Sequence, residues 1–338
     1  MTDLSHRPRS VIFDTDPGID DAMALFLLAR HPALKLRAVT SVFGNASIEV
    51  TTRNARALCA FYGQPVPVAA GAAGPLFAHA ARPHSTHVHG EDGLGGRAEL
   101  ALDEHNLAPL DPRPAHELIC DMVNAEPGEI TLIAVGPMTN LALALQHDPG
   151  IAAKVAQVII MGGAFGTNGH SGNVTPVAEA NIINDPEAAD QVLAAPWPVV
   201  VVGLDVTHAV VMQESYLDGL RGRGGQGAAV GEFLWQATRH YQDFYHSVAG
   251  IEGIYGHDAS AIAYAIDPSL FTLRAGPVRV VTEGLAVGQT IQNTRPAASL
   301  TAPWDQSPVQ QVCVAVDGPR LLALFEQVFD PSFDRPAA

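Results

Sequence analysis

The sequence predicts an α/β fold: an open, mostly parallel sheet with helices on both faces. Two observations carry that prediction. Short β-branched runs, Ile130 to Val135, Val155 to Met161 and Val199 to Leu204, are each followed by Gly, Pro or Asp and then a helical pattern, the alternation of βα units. Ligands of such sheets sit outside the carboxyl ends of the strands, and Asp14, Asp16, Val135, Met161 and Asp205 all fall at those ends.

The elements follow in order. Ser10 to Phe13 is an apolar run ending in Asp14, and Pro17-Gly18 turn the chain. From Ile19 onward, Met23, Leu25, Phe26, Leu27 and Leu28 have the density of a mostly buried helix. Leu36 to Val42 reads as the second strand and Ile48 to Tyr62 as the helix after it. Gly71 to Arg97 is a long loop rich in Gly, Ala and His, and loops of that length in compact domains are usually functional or disordered. Thr139 or Asn140 caps the helix after Val135. Asn184 or Asp185 caps a later one, with Pro186 in its first turn. Leu220 to Gly227 reads as a mobile loop. Its Gly222-x-Gly224-x-x-Gly227 follows a helical segment instead of a strand, which rules out a dinucleotide fingerprint. Gly256-His257-Asp258-Ala259 opens a helix, Ala259 to Ile266, with Asp258 placed as an N-cap. Leu321 to Phe329 closes the pattern as an amphipathic helix. With no internal repeat and no domain linker, residues 1–338 read as one domain.

Composition narrows the function. Apolar residues make up 47% and charged ones 16%, which suits a compact enzyme and not a disordered chain. The net charge of −16, with no Lys/Arg cluster, argues against nucleic acid or an anionic membrane as partner. Cys59, Cys120 and Cys313 lie far apart in apolar contexts, as buried free thiols of a reducing compartment do. Met1 to Ser10 lacks a signal-peptide core, and no apolar run reaches the roughly 18 residues of a membrane helix. A cytoplasmic protein is expected.

Asp14, Asp16, Asp20 and Asp21 stand between the first strand and the first helical turn. One or two acids there would suit a cap and the positive helix terminus. Four within eight residues repel one another unless a cation sits among them. An EF-hand does not fit, because Gly18 is fifth and Leu25 twelfth in the loop. An aspartyl-phosphate phosphatase would use Asp14 as nucleophile and Asp16 as acid/base. That family has Thr or Val at the position of Gly18 and a phosphate-holding Lys, whereas only Lys35 and Lys154 exist here. The third reading is a resemblance. Asp14-x-Asp16-Pro17-Gly18-x-Asp20-Asp21-Ala22 resembles the signature of the calcium-dependent nucleoside hydrolases.

Other segments resemble that family in the same order. Gly44-Asn45 suits a turn on its own; the resemblance implies an Asn45 amide that reaches ribose. His84, His87 and His89 invite a zinc reading, but without a fourth ligand or thiolate they read as a polar loop; the resemblance implies that His89 faces the nucleoside. Gly136-Pro137-Met138-Thr139-Asn140 implies a metal-binding carbonyl on Val135. The amides and acid of Gly172 to Asn181 are not explained by capping, and their spacing suits adjacent sugar hydroxyls. The resemblance gives that role to Asn173, Glu179 and Asn181, with Ala180 where many members carry an aromatic residue. His257-Asp258 resembles a base-facing residue followed by the last metal ligand. His in place of Trp at 257 is similar to the inosine-uridine and pyrimidine branches.

The resemblance implies a Rossmann-like core and a ribonucleoside N-glycosidase releasing base and ribose. It implies Ca²⁺ held by Asp16, Asp20, Asp21, the Val135 carbonyl and Asp258, with Asp16 taking a proton from water. His257 is the candidate acid for the leaving base, with His89 as its possible aid. Asp20, Asn45, His89, Met161, Asn173, Glu179, Asn181 and Asp258 are the expected substrate contacts, in a homodimer or homotetramer. The phosphatase, and a nucleoside-binding protein without turnover, are the alternatives.

Overall fold

In the computed structural model, which describes residues 7–223, 226–295 and 301–333, the first strand serves two apolar layers at once. Val11 and Phe13 of β1 (Arg9–Thr15) enter one core and Ile12 the other, the two-residue alternation of a strand. The chain continues through α1 (Ile19–Arg30), β2 (Leu34–Ser41), α2 (Ile48–Phe61) and β3 (Val68–Ala70), then α3 (Thr86–His89), β4 (Leu110–Asp111) and α4 (Ala115–Ala125). Next come β5 (Ile130–Ala134), α5 (Thr139–His147), β6 (Gln157–Met161), α6 (Ala180–Asn184), α7 (Pro186–Ala194), β7 (Val199–Val202) and α8 (Leu204–Thr207). A short pair, β8 (Val211–Gln213) and β9 (Gly253–Tyr255), flanks α9 (Glu214–Leu220) and α10 (Gln226–Ala249). The remaining elements are α11 (His257–Ile266), β10 (Phe271–Val280), β11 (Thr290–Gln292), β12 (Val309–Val316) and α12 (Gly318–Gln327).

Ten strands form one sheet in the order β11, β10, β12, β7, β6, β5, β1, β2, β3, β4. Those from β12 to β4 are parallel, and β10 runs antiparallel to both its neighbours. Strand order reverses at β1, whose neighbours are β2 on one side and β5 on the other. The carboxyl ends of β1 and β5 therefore border the switch-point crevice in which such sheets bind ligands. Asp16 of the following loop, Asp20 and Asp21 at the start of α1, and Val135 lie at it.

All twelve residues of α1 are buried, as its apolar composition demands. It packs on α11 and α10. Arg30 at its end donates from Nε to the Val328 carbonyl at 3.1 Å and from Nη2 to that of Asp330 at 3.3 Å. The rings of Phe26 and Phe329 lie 4.8 Å apart. The three cysteines are buried and free. No helix among the described residues is long and apolar enough to cross a membrane.

Several local expectations are corrected. Asp258 lies inside α11, and the cap position is Gly256. Neither Thr139 nor Asn140 caps α5. The Thr139 hydroxyl instead donates to Asp185 Oδ2 at 2.7 Å, and Asn140 Nδ2 donates to Asp14 Oδ1 at 2.8 Å and the Ser41 carbonyl at 2.9 Å. Both residues are drawn across the strand ends by buried acceptors. Asp185 does cap α7, accepting from Ala188 N at 3.1 Å. Leu220 ends α9 and Gly227 lies within α10, while Gly224 and Gly225 lie outside the described residues. The long loop from Gly71 holds α3 and a single 3₁₀ turn, Ala78–Ala80.

Candidate active site

The loop between β1 and α1 forms the floor. Gly18 N–H donates to Asp21 Oδ2 at 2.8 Å and the Thr15 hydroxyl to Asp21 Oδ1 at 2.5 Å, which closes the turn. Gly18 is needed here, since a Cβ would lie 2.6 Å from both Asn45 Nδ2 and His89 Nδ1. Asn45 N–H donates to Asp16 Oδ2 at 2.8 Å, and its side chain donates to the Asp16 carbonyl at 3.2 Å and Asp21 Oδ2 at 3.1 Å. The amide expected to reach ribose thus braces the acidic loop, although Asn45 also lines the cavity above. A Cβ on Gly136 would come within 2.6 Å of Asp16 Oδ1, so the backbone after Val135 closes on that carboxylate from the other side.

Asp20, Asp21 and Asp258 each offer an oxygen, all within 4.8 Å of one another, and all three are buried. Asp16 Oδ1 and Asp20 Oδ1 are buried without a hydrogen-bond partner. Burial, then repulsion from Asp21, drives Asp16 well up and Asp20 up to about 7. Burial, then repulsion from Asp20, Asp21 and Asp16, also raises Asp258. Buried like charges with orphaned oxygens fit a hard cation with oxygen ligands. The Val135 carbonyl belongs to the same rim; it accepts from Asn181 Nδ2 at 2.7 Å and keeps a second lone pair.

Above the floor lies a cavity of about 820 Å³. One wall is polar. Asn181 Nδ2 also donates to the Met161 carbonyl at 3.1 Å. Asn173 Oδ1 accepts from Ala180 N at 3.1 Å. Glu179 corrects a sequence expectation: it caps α6. Its carboxylate accepts from the N–H groups of Asn181 at 3.0 Å, Gly163 at 2.9 Å and Ile182 at 3.2 Å. Capping explains the acid, and its face toward the cavity is what remains for a ligand.

The opposite wall is aromatic: Tyr241, Phe244 and Tyr245 from α10, with Tyr255, His208 and His257. Here the side chains form a chain of hydrogen bonds. Thr207 Oγ1 lies 2.8 Å from His257 Nδ1, His257 Nε2 2.7 Å from the Tyr245 hydroxyl, that hydroxyl 3.2 Å from the one of Tyr241, and Tyr241 donates to Asp20 Oδ2 at 3.2 Å. With Asp20 ionised and His257 neutral, one set of hydrogens satisfies all four contacts. Thr207 donates to Nδ1, Nε2–H to Tyr245, Tyr245 to Tyr241 and Tyr241 to Asp20. The reverse sense leaves the two tyrosine oxygens without a hydrogen between them. Burial pushes His257 toward its neutral form. His89 accepts from Ile19 N at 3.2 Å through Nδ1, stands 3.9 Å from Asp20 Oδ1, and is held down to about 3 by burial.

The structure brings together the floor residues Asp16, Asp20, Asp21 and Asp258 with Asn45, His89, Val135, Met161, Asn173, Glu179, Asn181 and His257. It does not assemble a histidine metal site: His84 Nδ1 meets the Gly44 carbonyl at 3.2 Å and the His87 ring stands edge-on to Phe244. Nor does it support the phosphatase. Asp14 is buried under Thr40 and Asn140, which bond its Oδ1, and it is not part of the cavity wall. Lys154 bonds Asn124 elsewhere.

The family model described as inosine-uridine preferring nucleoside hydrolase matches residues 11–323. The chain belongs to this family. Nucleoside hydrolases that resemble it include a probable uridine nucleosidase 2 of Arabidopsis thaliana, 37% identical over 94% of this chain and 96% of that protein. An inosine-uridine preferring nucleoside hydrolase of Leishmania major is 39% identical over 85% of this chain and 88% of that one. A solved plant nucleoside hydrolase superposes with a TM-score of 0.87 at 37% identity, covering 96% of this chain and all of that one. The acidic floor agrees with the metal dependence of nucleoside hydrolases. Sequence reasoning missed Tyr241, Tyr245, Tyr255 and His208. The one available signal was the spacing of Tyr241 and Tyr245, four apart on one helix face.

Proposed function

We propose that this nucleoside hydrolase cleaves the N-glycosidic bond of ribonucleosides of the uridine and inosine kind. We propose Ca²⁺ as its metal, held by Asp16, Asp20, Asp21, the Val135 carbonyl and Asp258. The observation that carries this reading is the two-sided cavity over a buried carboxylate cluster. A neutral, half-polar, half-aromatic ligand matches it, and the relatives named above are called after uridine and inosine.

When bound, a hard dication acidifies a water and holds vicinal hydroxyls. The chain's own groups do the rest. Asp16, with Oδ2 fixed by Asn45 and Oδ1 unpartnered, takes the proton of the attacking water. Asn173, Glu179 and Asn181 orient the sugar from the polar wall. Cleavage builds oxocarbenium character at C1′, which the buried carboxylates below stabilise. The departing base lies along the aromatic wall, where the Tyr245 hydroxyl gives it a proton and His257 Nε2–H, 2.7 Å away, bonds the phenolate oxygen left behind. The enzyme acts as one domain, a cytoplasmic homodimer or homotetramer, which light scattering would check.

The test is release of reducing sugar from uridine and inosine, before and after chelation and after addition of Ca²⁺. Release that is lost and then restored supports the reading. Full release from metal-free protein, checked by elemental analysis, overturns the metal assignment; no release from any ribonucleoside overturns the substrate.

A further inference from the structure

His208 lines the cavity but takes no part in the acidic floor, the polar wall or the hydrogen-bond chain. It follows α8, its N–H returning to the Leu204 carbonyl at 3.2 Å. Its ring stacks on Tyr255, with centroids 4.3 Å apart and planes at 27°, and stands edge-on to His257 at 5.5 Å. Backbone pairing creates this cluster. Val211 lies opposite Tyr255, Gly256 N–H bonds the Val210 carbonyl at 2.8 Å, and His257 comes next in the chain.

His208 Nδ1 lies 3.3 Å from Nδ1 of His170, which is not part of the cavity wall. The loop bearing His170 is fastened to the same short helix. Asp205 of α8 accepts from Phe165 N at 2.8 Å and Thr167 N at 2.6 Å. Asn168, in the left-handed region at φ 60, turns the loop and donates to the Val314 carbonyl at 3.0 Å. With Nδ1 engaged by His170, Nε2 is the ring nitrogen left to meet a ligand.

We propose that His208 reads the outer edge of the nucleobase through Nε2, and that His170 is the positioning residue that sets its ring plane. This rests on the nucleoside reading above. In that reading His257 serves the base near the bond that breaks, and His208, whose ring centroid lies 5.5 Å from that of His257, is assigned the other edge of the same base. The two imidazoles share one proton between their Nδ1 atoms. When His170 donates it, His208 presents Nε2–H to a ring carbonyl; when His208 donates it, Nε2 accepts from an amino group. Burial keeps His208 neutral, down to about 4, as this exchange requires. The ligand class is therefore a base with either an oxo or an amino group at its outer edge.

The experiment compares parent, His208→Ala, His170→Leu and His170→Asn on uridine, cytidine and 4-nitrophenyl riboside, whose leaving group has no such edge. The readout is kcat/KM for each nucleoside divided by that for the aryl riboside. Loss of one buried hydrogen bond should lower both ratios on the order of tenfold in His208→Ala. His170→Leu should lower them in the same direction, and His170→Asn, which can donate or accept, should recover most of the loss. Equal losses on all three substrates, or a His170→Asn no better than His170→Leu, overturn the proposal. A fall confined to one nucleoside overturns the two-way bond. If His208→Ala does not fold, His208→Phe keeps the stack on Tyr255 and removes the nitrogen, and the same ratios decide. A parent that releases ribose while the ratios stand still refutes only the His208 assignment; a parent inactive on every nucleoside overturns both readings.

Discussion

Asp16 holds one carboxylate oxygen on the Asn45 N–H and leaves the other buried and unbonded, which is how a base waiting for a proton is arranged. Asp16→Asn should lower kcat by about 10²–10⁴-fold or more, since it removes both the base and a charged oxygen. An unchanged kcat would place the base elsewhere. His257 is bonded through both ring nitrogens, so its contribution runs through Tyr245. His257→Ala should lose about 10²–10⁴-fold on uridine yet hydrolyse 4-nitrophenyl riboside nearly as well as the parent, because nitrophenolate leaves without a proton. Tyr245→Phe should show the same split with a loss at least as large, since the proton passes through its hydroxyl. Equal losses on both substrates would reduce the pair to pocket shape. Three of the floor carboxylates were legible because four like charges in eight residues have no ordinary explanation, although Asp14, one of those four, turns away under Thr40 and Asn140. Tyr245 and His208 were not, because an aromatic or a His in an apolar stretch reads as core until the fold shows what it faces.

Elements were easier to read than their junctions. The strand from Ile130 and the helix from Ile48 stand where their patterns put them, since burial on two faces writes itself into composition. Caps were harder. Glu179 was set apart from capping and serves as the cap of α6, while Asn140, read with Thr139 as a candidate cap, bridges three strand ends. The same side-chain oxygen suits both tasks, and only three-dimensional neighbours choose. The position of α1, buried on every side, yields a stability prediction. Leu27→Ala should cost about 2–5 kcal/mol in denaturant unfolding, with a loss of activity no greater than the loss of folded protein. A cost under about 1 kcal/mol would mean that the α1 core relaxes into the space.

For the whole molecule, the floor is both a site and a stress. Its carboxylates repel one another in the folded state and separate on unfolding, so a cation bound to the native state should raise the melting temperature. At a hundredfold excess over its Kd, such a ligand contributes about 2.7 kcal/mol. Differential scanning calorimetry with chelator and then with Ca²⁺ measures this; an unmoved transition would disprove tight binding at the floor. The charge of −16 works in the same direction, since it draws cations toward the cavity and keeps polyanions away. Arg30 has a further consequence, which concerns the order of synthesis. The helix that carries Asp20 and Asp21 has its guanidinium seated on the carbonyls of Val328 and Asp330, with Phe26 against Phe329. Residues made some three hundred positions apart are locked together, the earlier by the later. During translation α1 must wait, with a cation at one end and apolar surface along its length, until that late segment has left the ribosome. A nascent chain stalled before Val328 should therefore be protease-sensitive around α1 although every catalytic residue has already been made.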